Sequence, residues 1–307
     1  MKQYPALNWL VPLVTVLAFI AAVGGLFSGG SGERIPFTTL HGQSVTLYGD
    51  GLYASDTVFT AGSFRGTDLV TLVVFIPLLL ISFWLYRRGS LRGGLMLAGS
   101  LGLFVYNGAS MSFGAAYNSF FLVYVALLAA SFYAFILAFT GFELPALPAI
   151  MPTAPRRGLA VFLLIAGLAP FVLWLMDILG ALAAGRVPDL LASYTTMFTY
   201  AIDLAIIVPA AWLAACFVLR RVPVGYPLAC VMLFALAGVG LAVAGQTWAQ
   251  LAAGITFSPG VFIGYVGSWV VLGGVGVWFI IALLRSVTET PLHQPTAPYP
   301  AAAHSTR

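Results

Sequence analysis

Eight stretches of this 307-residue chain are apolar over about 20 residues without a break, the length a helix needs to cross the hydrocarbon core of a bilayer. No water in that core can satisfy free backbone groups, so a spanning chain must be helical or a closed barrel. Barrels are written in alternating stretches of about ten residues, which are not found here. The sequence therefore reads as an all-α polytopic membrane protein with eight transmembrane helices, over roughly 8–28, 68–86, 94–113, 118–141, 159–180, 198–219, 226–250 and 262–284. Charged residues make up only 7% of the chain, where a soluble domain carries about a quarter.

Basic residues between the spans set an expected orientation. Lys2, Arg87, Arg88, Arg92, Arg156, Arg157, Arg220, Arg221 and Arg285 fall on one side, and Arg34, Arg65 and Arg186 on the other. The positive-inside rule then places both termini in the cytoplasm. The net charge of +4 does not point to a nucleic-acid partner, because the arginines stand as pairs at span ends and form no basic face. The partner implied is the lipid bilayer. The Ala/Gly/Leu-rich composition is like that of multi-pass proteins of bacterial inner membranes, so the plasma membrane is the expected location. The first apolar run, Leu10 to Phe27, is longer than a signal-peptide core and is read as a retained helix.

The domain reading is a transmembrane unit over 1–287 and a proline-rich, disordered cytoplasmic tail over 288–307. One sizeable extracytoplasmic loop, the 39 residues 29–67, is too small for a core of its own and is expected to cap the bundle. Alternation around the Asp50-Gly51 pair suggests a β-hairpin within it. Asp68-Leu69, Pro77 and Arg87-Arg88 are echoed by Asp203-Leu204, Pro209 and Arg220-Arg221, which suggests a 4+4 parallel repeat. Cys216 and Cys230 are too few for a disulfide framework and read as small core residues.

An ionisable or amide side chain inside a membrane needs a reason to be there, so such residues form the functional shortlist. Counted at 1.5 Å per residue from the nearest arginines, Asp68, Asp177 and Asp203 lie about 26–30 Å along their spans, near the outer boundary. Asn107, Asn118, Tyr200 and Gln246 also fall in outer halves, whereas the inner halves offer little beyond Ser82, Ser100, Ser131, Thr140 and Cys216. The seven outer residues are the candidate ligand-binding set, converging on one outward-facing polar cavity. Each also has a structural reading: Asp68 as a helix-opening carboxylate, Asp177 as an interfacial residue near Arg186, and the amides as bonds between helices.

Several chemistries have no support in the sequence. The three histidines, His41, His293 and His304, lie outside the spans, so neither haem nor an intramembrane zinc is implied, and no metal or other cofactor is expected. Nucleophile-elbow, zinc-protease and phosphate-loop motifs are not found. A transmembrane Schiff-base lysine is excluded, since Lys2 is the chain's one lysine. Three functions stay open. The first is binding or transport of a small cationic or hydrogen-bonding solute. The second is a non-catalytic subunit of a larger membrane complex, or a homo-oligomer, assembled through a Gly260, Gly264, Ser268 ridge. The third and least favoured is an outer-leaflet enzyme built on Asp177 and Asp203.

Overall fold

The computed structural model describes residues 1–30 and 32–288. Eight long helices carry them: α1 Leu7–Phe27, α2 Val58–Arg87, α3 Leu91–Gly114, α4 Phe121–Thr140, α5 Arg156–Ala183, α6 Phe198–Leu219, α7 Gly225–Ala252 and α8 Pro259–Arg285. Each is long and apolar enough to cross a membrane, and the protein is a multi-pass integral membrane protein. Seven helices begin and end within three residues of the spans expected from hydropathy.

The exception is α2, which starts ten residues early, at Val58. Thr57 caps it by accepting a bond from the Thr60 amide, and Val58, Ala61, Gly62, Phe64 and Gly66 are buried. This first part, Val-Phe-Thr-Ala-Gly-Ser-Phe-Arg-Gly-Thr, is too rich in small and polar residues to register by hydropathy. It is helical because its small-residue face packs on α7 and α1. The expected 29–67 loop is therefore corrected: the connector ends at Thr57, and Asp68 lies three turns inside α2 rather than at its start.

Within that connector, β1 Ile35–Thr38 pairs antiparallel with β2 Ser44–Leu47, Ile35 facing Leu47 and Thr38 facing Ser44. The turn is not the expected Asp50-Gly51. Gly42, at φ +76°, closes the hairpin, and Asp50-Gly51 instead leads into a single 3-10 turn, Gly51–Tyr53. The strands are largely exposed, and the cap is anchored at that 3-10 turn. Its Tyr53 is buried among Ala21, Ala61, Phe64, Met111 and Tyr124.

Helices α3 and α7 form the middle of the bundle. They touch each other, and between them contact α2, α4, α6 and α8, while α1 lies against α2 and α4 and α5 against α6. Two close approaches set the spacing around α7. A Cβ on Gly66 would stand 2.3 Å from the Gly245 carbonyl, and one on Gly240 would stand 2.7 Å from the Gly273 Cα. Of the two small-residue ridges in the sequence, Gly94–Gly102 packs internally, against Met1, Val231 and Phe135. Gly260 and Gly264 have open space around them, and Ser268 is exposed.

One end of the bundle gathers arginines. There Arg92 donates to the carbonyls of Leu284 and Val287, and Lys2 N–H donates to Gly141. The hairpin marks the other end, where Gln43 donates to the Pro188 carbonyl and Arg34 to Ala253. Thr288, placed by the sequence in a disordered tail, donates through N–H and hydroxyl to the Ile150 carbonyl, and residues 289–307 of that expected tail lie outside the described residues. Cys230 is buried as expected, but Cys216 is exposed and so is not a core residue.

Prolines shape the two helices that echo each other in sequence. Proline lacks an N–H and its ring crowds the carbonyl four residues back, so the helix must widen or kink. In α2 the turn Thr71–Phe75 is π-helical and Pro77 follows it by two residues. In α6 the π-helical turn is Asp203–Ile207 and Pro209 follows it by two. A third π-helical turn, Phe262–Gly267, lies in α8.

Candidate functional site

A cavity of about 490 Å³ opens in the hairpin half of the bundle, bounded by α2, α3, α6, α7 and α8, with Trp174 of α5 completing the wall. Its volume is within the range of small-molecule sites, about 300–1,000 Å³. Four of the seven expected site residues, Asn107, Tyr200, Asp203 and Gln246, line it. Most of the remaining lining is aromatic or aliphatic, including Phe75, Leu103, Tyr106, Val243, Tyr265 and Trp269.

Asp203 opens the π-helical turn of α6 and is 7% exposed. One carboxylate oxygen accepts from Tyr106 OH at 3.2 Å and the other from Trp174 Nε1 at 2.9 Å. Trp174 stacks on Tyr200, with ring centroids 4.2 Å apart and planes at 18°. Of the described residues that line the cavity, Asp203 alone is acidic, and none is Arg, Lys or His. The ion pairs among the described residues, Met1 with Glu143 and Arg186 with Asp189, lie elsewhere. The carboxylate is thus held by neutral donors, with capacity on each oxygen for a further bond.

The α2–α7 wall carries the amides. Gln246 donates to Thr67 Oγ1 at 2.9 Å, and Gln250 donates to Ser63 Oγ at 2.8 Å. Asn107 of α3 reaches Thr71 Oγ1 at 3.4 Å, beside the π-helical turn of α2. These residues join helices and present polar atoms to the cavity at once.

The other three expected residues are not in the lining. Asp177 is half-buried and accepts a 2.9 Å bond from Tyr200 OH, so it supports the Tyr200 ring from behind. Asn118 bonds locally in the turn before α4, accepting from Phe120 N–H and donating to the Ala116 carbonyl. Asp68, 4% exposed, accepts a 2.7 Å bond from Tyr53 OH within electrostatic reach of Arg65, which itself donates to the Gly25 and Leu26 carbonyls. Burial, with Asp68 beside it, holds the Tyr53 phenol well above its usual pKa, so it remains a donor. Asp68 therefore ties the cap to α2.

Sequence reasoning did not single out Trp174, Tyr106 or Tyr265. A signal existed: a Trp or Tyr deep in an apolar helix still needs a partner for its N–H or O–H, and a carboxylate is one of the few available.

The cavity mouth is tied by Asp56, which is fully buried. Its Oδ1 accepts from Ala116 N–H at 2.9 Å and from Tyr194 OH at 2.8 Å, joining the cap, the α3–α4 connection and the 184–197 segment. Its Oδ2 has no hydrogen-bond partner among the described residues. Burial raises its pKa to about 6, against the lowering effect of those two bonds. The folded state therefore binds the proton more tightly than the unfolded chain, whose value is about 3.9. Stability from this group is complete below about pH 4 and falls by about 3 kcal/mol as pH rises through 6, then levels. In denaturation of the purified protein from pH 4 to 7.5, Asp56→Asn is expected to remove that slope. Parallel pH profiles for the two proteins would rule this assignment out.

No known protein family matches the chain, and no curated protein or solved structure matches it either. The class is set by its own geometry, a polytopic helical membrane protein with a largely aromatic cavity that holds one carboxylate among the described residues. Among the described residues no group of three or more His, Cys, Asp or Glu is placed to hold a metal ion.

Proposed function

We propose that this protein binds, and in the membrane transports or senses, a small cationic or hydrogen-bonding solute that enters from the hairpin end. The observation that carries the reading is Asp203, the cavity's one carboxylate among the described residues, with no cationic side chain along the walls. A charge at this depth is costly unless something compensates it, and a bound solute would. Asn107, Tyr200 and Gln246 are the orienting groups, and Asp177 and Asp68 act one step removed, through Tyr200 and Tyr53.

The reading includes an orientation: the arginine end faces the cytoplasm of a plasma membrane, with both termini there, and the hairpin end faces out. It also includes the 4+4 parallel repeat. Supporting that are the matched π-helical turns, each two residues before a proline in a helix that ends at an arginine pair, and the matched packing of α1–α2 with α5–α6 and of α3–α4 with α7–α8. An enzyme built on Asp177 and Asp203 is disfavoured, because only Asp203 lines the cavity. The subunit reading keeps one supporting observation, the exposed Gly260, Gly264, Ser268 ridge.

Access is tested with Ser110, a lining residue. In a Cys216→Ser background, Ser110→Cys is expected to react with a membrane-impermeant thiol reagent added at the hairpin side of oriented vesicles. Ala242→Trp, which fills the cavity, should slow that reaction at least about tenfold by obstructing the void. Labelling only from the arginine side, or none from either, contradicts the proposal.

A further inference from the structure

We infer that the solute is an organic ammonium ion carrying an apolar body, and not an inorganic cation or a neutral polar molecule. The inference rests on the cavity reading above and narrows it. Its starting point is the chemistry around Asp203. Both oxygens are engaged by neutral donors, Tyr106 OH and Trp174 Nε1, which orient the carboxylate without neutralising it. No Arg, Lys or His is among the described lining residues, so a cationic occupant would supply the compensating charge.

Three features then select the kind of cation. A hard metal ion takes about six or more oxygen ligands, whereas the groups gathered on Asp203 are a phenol and an indole N–H, and the amides of the α2–α7 wall are bonded to Thr67 and Ser63. A weakly hydrated ammonium is instead stabilised by aromatic faces, and rings crowd the carboxylate. Trp174 and Tyr200 are stacked, while Tyr265 and Trp269 meet edge to face at 6.3 Å and 72°; all four line the cavity. Finally, the cavity of about 490 Å³ far exceeds a small ammonium headgroup, and most of its remaining wall, with Phe75, Leu103 and Val243, is apolar. The remainder of the ligand is therefore apolar. It has room for one hydrogen-bonding group toward Gln246 and Thr67.

The test compares two probes of the same shape, (3-hydroxyphenyl)trimethylammonium and its uncharged carbon isostere 3-tert-butylphenol. Binding to the purified full-length protein in micelles is read from tryptophan fluorescence, since Trp174 and Trp269 line the cavity. The cation is expected to bind at least about tenfold more tightly than the isostere. That preference should vanish in Asp203→Asn and persist in Asp203→Glu. Should Asp203→Asn fold poorly by thermal melting, Tyr265→Leu provides an independent arm. It leaves the carboxylate in place and should weaken the cation by about fivefold while leaving the isostere unchanged.

Equal affinity for the two probes, no affinity for either, or a preference that survives Asp203→Asn would overturn the inference. The Ser110→Cys labelling separates the two levels of failure. A cavity that labels from the hairpin side but shows no ammonium preference overturns this inference alone, and one that does not label overturns both.

Discussion

Gly66→Leu is expected to prevent the protein from accumulating in folded form, while Gly260→Leu should fold normally. Both glycines lie in helices long and apolar enough to cross a membrane. A Cβ on Gly66 would stand 2.3 Å from the Gly245 carbonyl and 2.4 Å from the Gln246 backbone, so α2 and α7 would have to part. Overpacking against movable side chains typically costs about 1–3 kcal/mol, and against backbone the cost is at the upper end or beyond. It would also separate Gln246 from Thr67. Gly260 has nothing within 4 Å. Expression followed by fluorescence-detected gel filtration distinguishes the two variants, and equal profiles would contradict the packing described. A smaller particle for Gly260→Leu than for the wild type would count in favour of the subunit reading.

The second large effect concerns the two buried aspartates, which should separate by function. Asp68→Leu is expected to lower stability by about 3 kcal/mol, because it leaves Tyr53 OH buried without its acceptor. Tyr53→Phe should cost about 2 kcal/mol for the reciprocal reason, and the double variant should cost less than the sum of the two. Neither change touches the cavity lining, so Ser110→Cys labelling should persist in whatever fraction folds. Asp203→Asn should give the opposite pattern, with folding largely retained and ammonium binding lost. If Asp68→Leu were neutral in thermal and chemical unfolding, the cap would be held by something other than this bond.

The sequence made most of the fold legible, because hydropathy over a helix length is governed by the bilayer itself. It did less well where helices meet one another. The start of α2 was hidden because Gly62 and Gly66 contribute close contact rather than hydrophobicity, and the hairpin turn was misplaced because Asp50-Gly51 has the same chemistry as a tight turn and is used for a 3-10 turn instead. Position along each span was readable, so the shortlist fell in the halves away from the arginine end. Facing was not, since it depends on which neighbour each helix meets. That is why Asn107, Tyr200, Asp203 and Gln246 share a cavity while Asp68, Asn118 and Asp177 bond elsewhere. Trp174 was overlooked because its role rests on a single N–H aimed across to another helix.

Toward the arginine end, the few hydroxyls of the bundle bond to their own helices or to one another. Ser82 donates to Leu78, Ser131 to Leu127 and Thr140 to Ile136, Ser82 also stands 3.3 Å from the Ser100 hydroxyl of α3, and Leu79, Leu95, Leu97 and Leu101 are fully buried. None of these side chains lines the chamber, so on the proposed reading a guest would lodge and leave by the way it came. Passage to the far compartment would require the leucine plug itself to be pulled open.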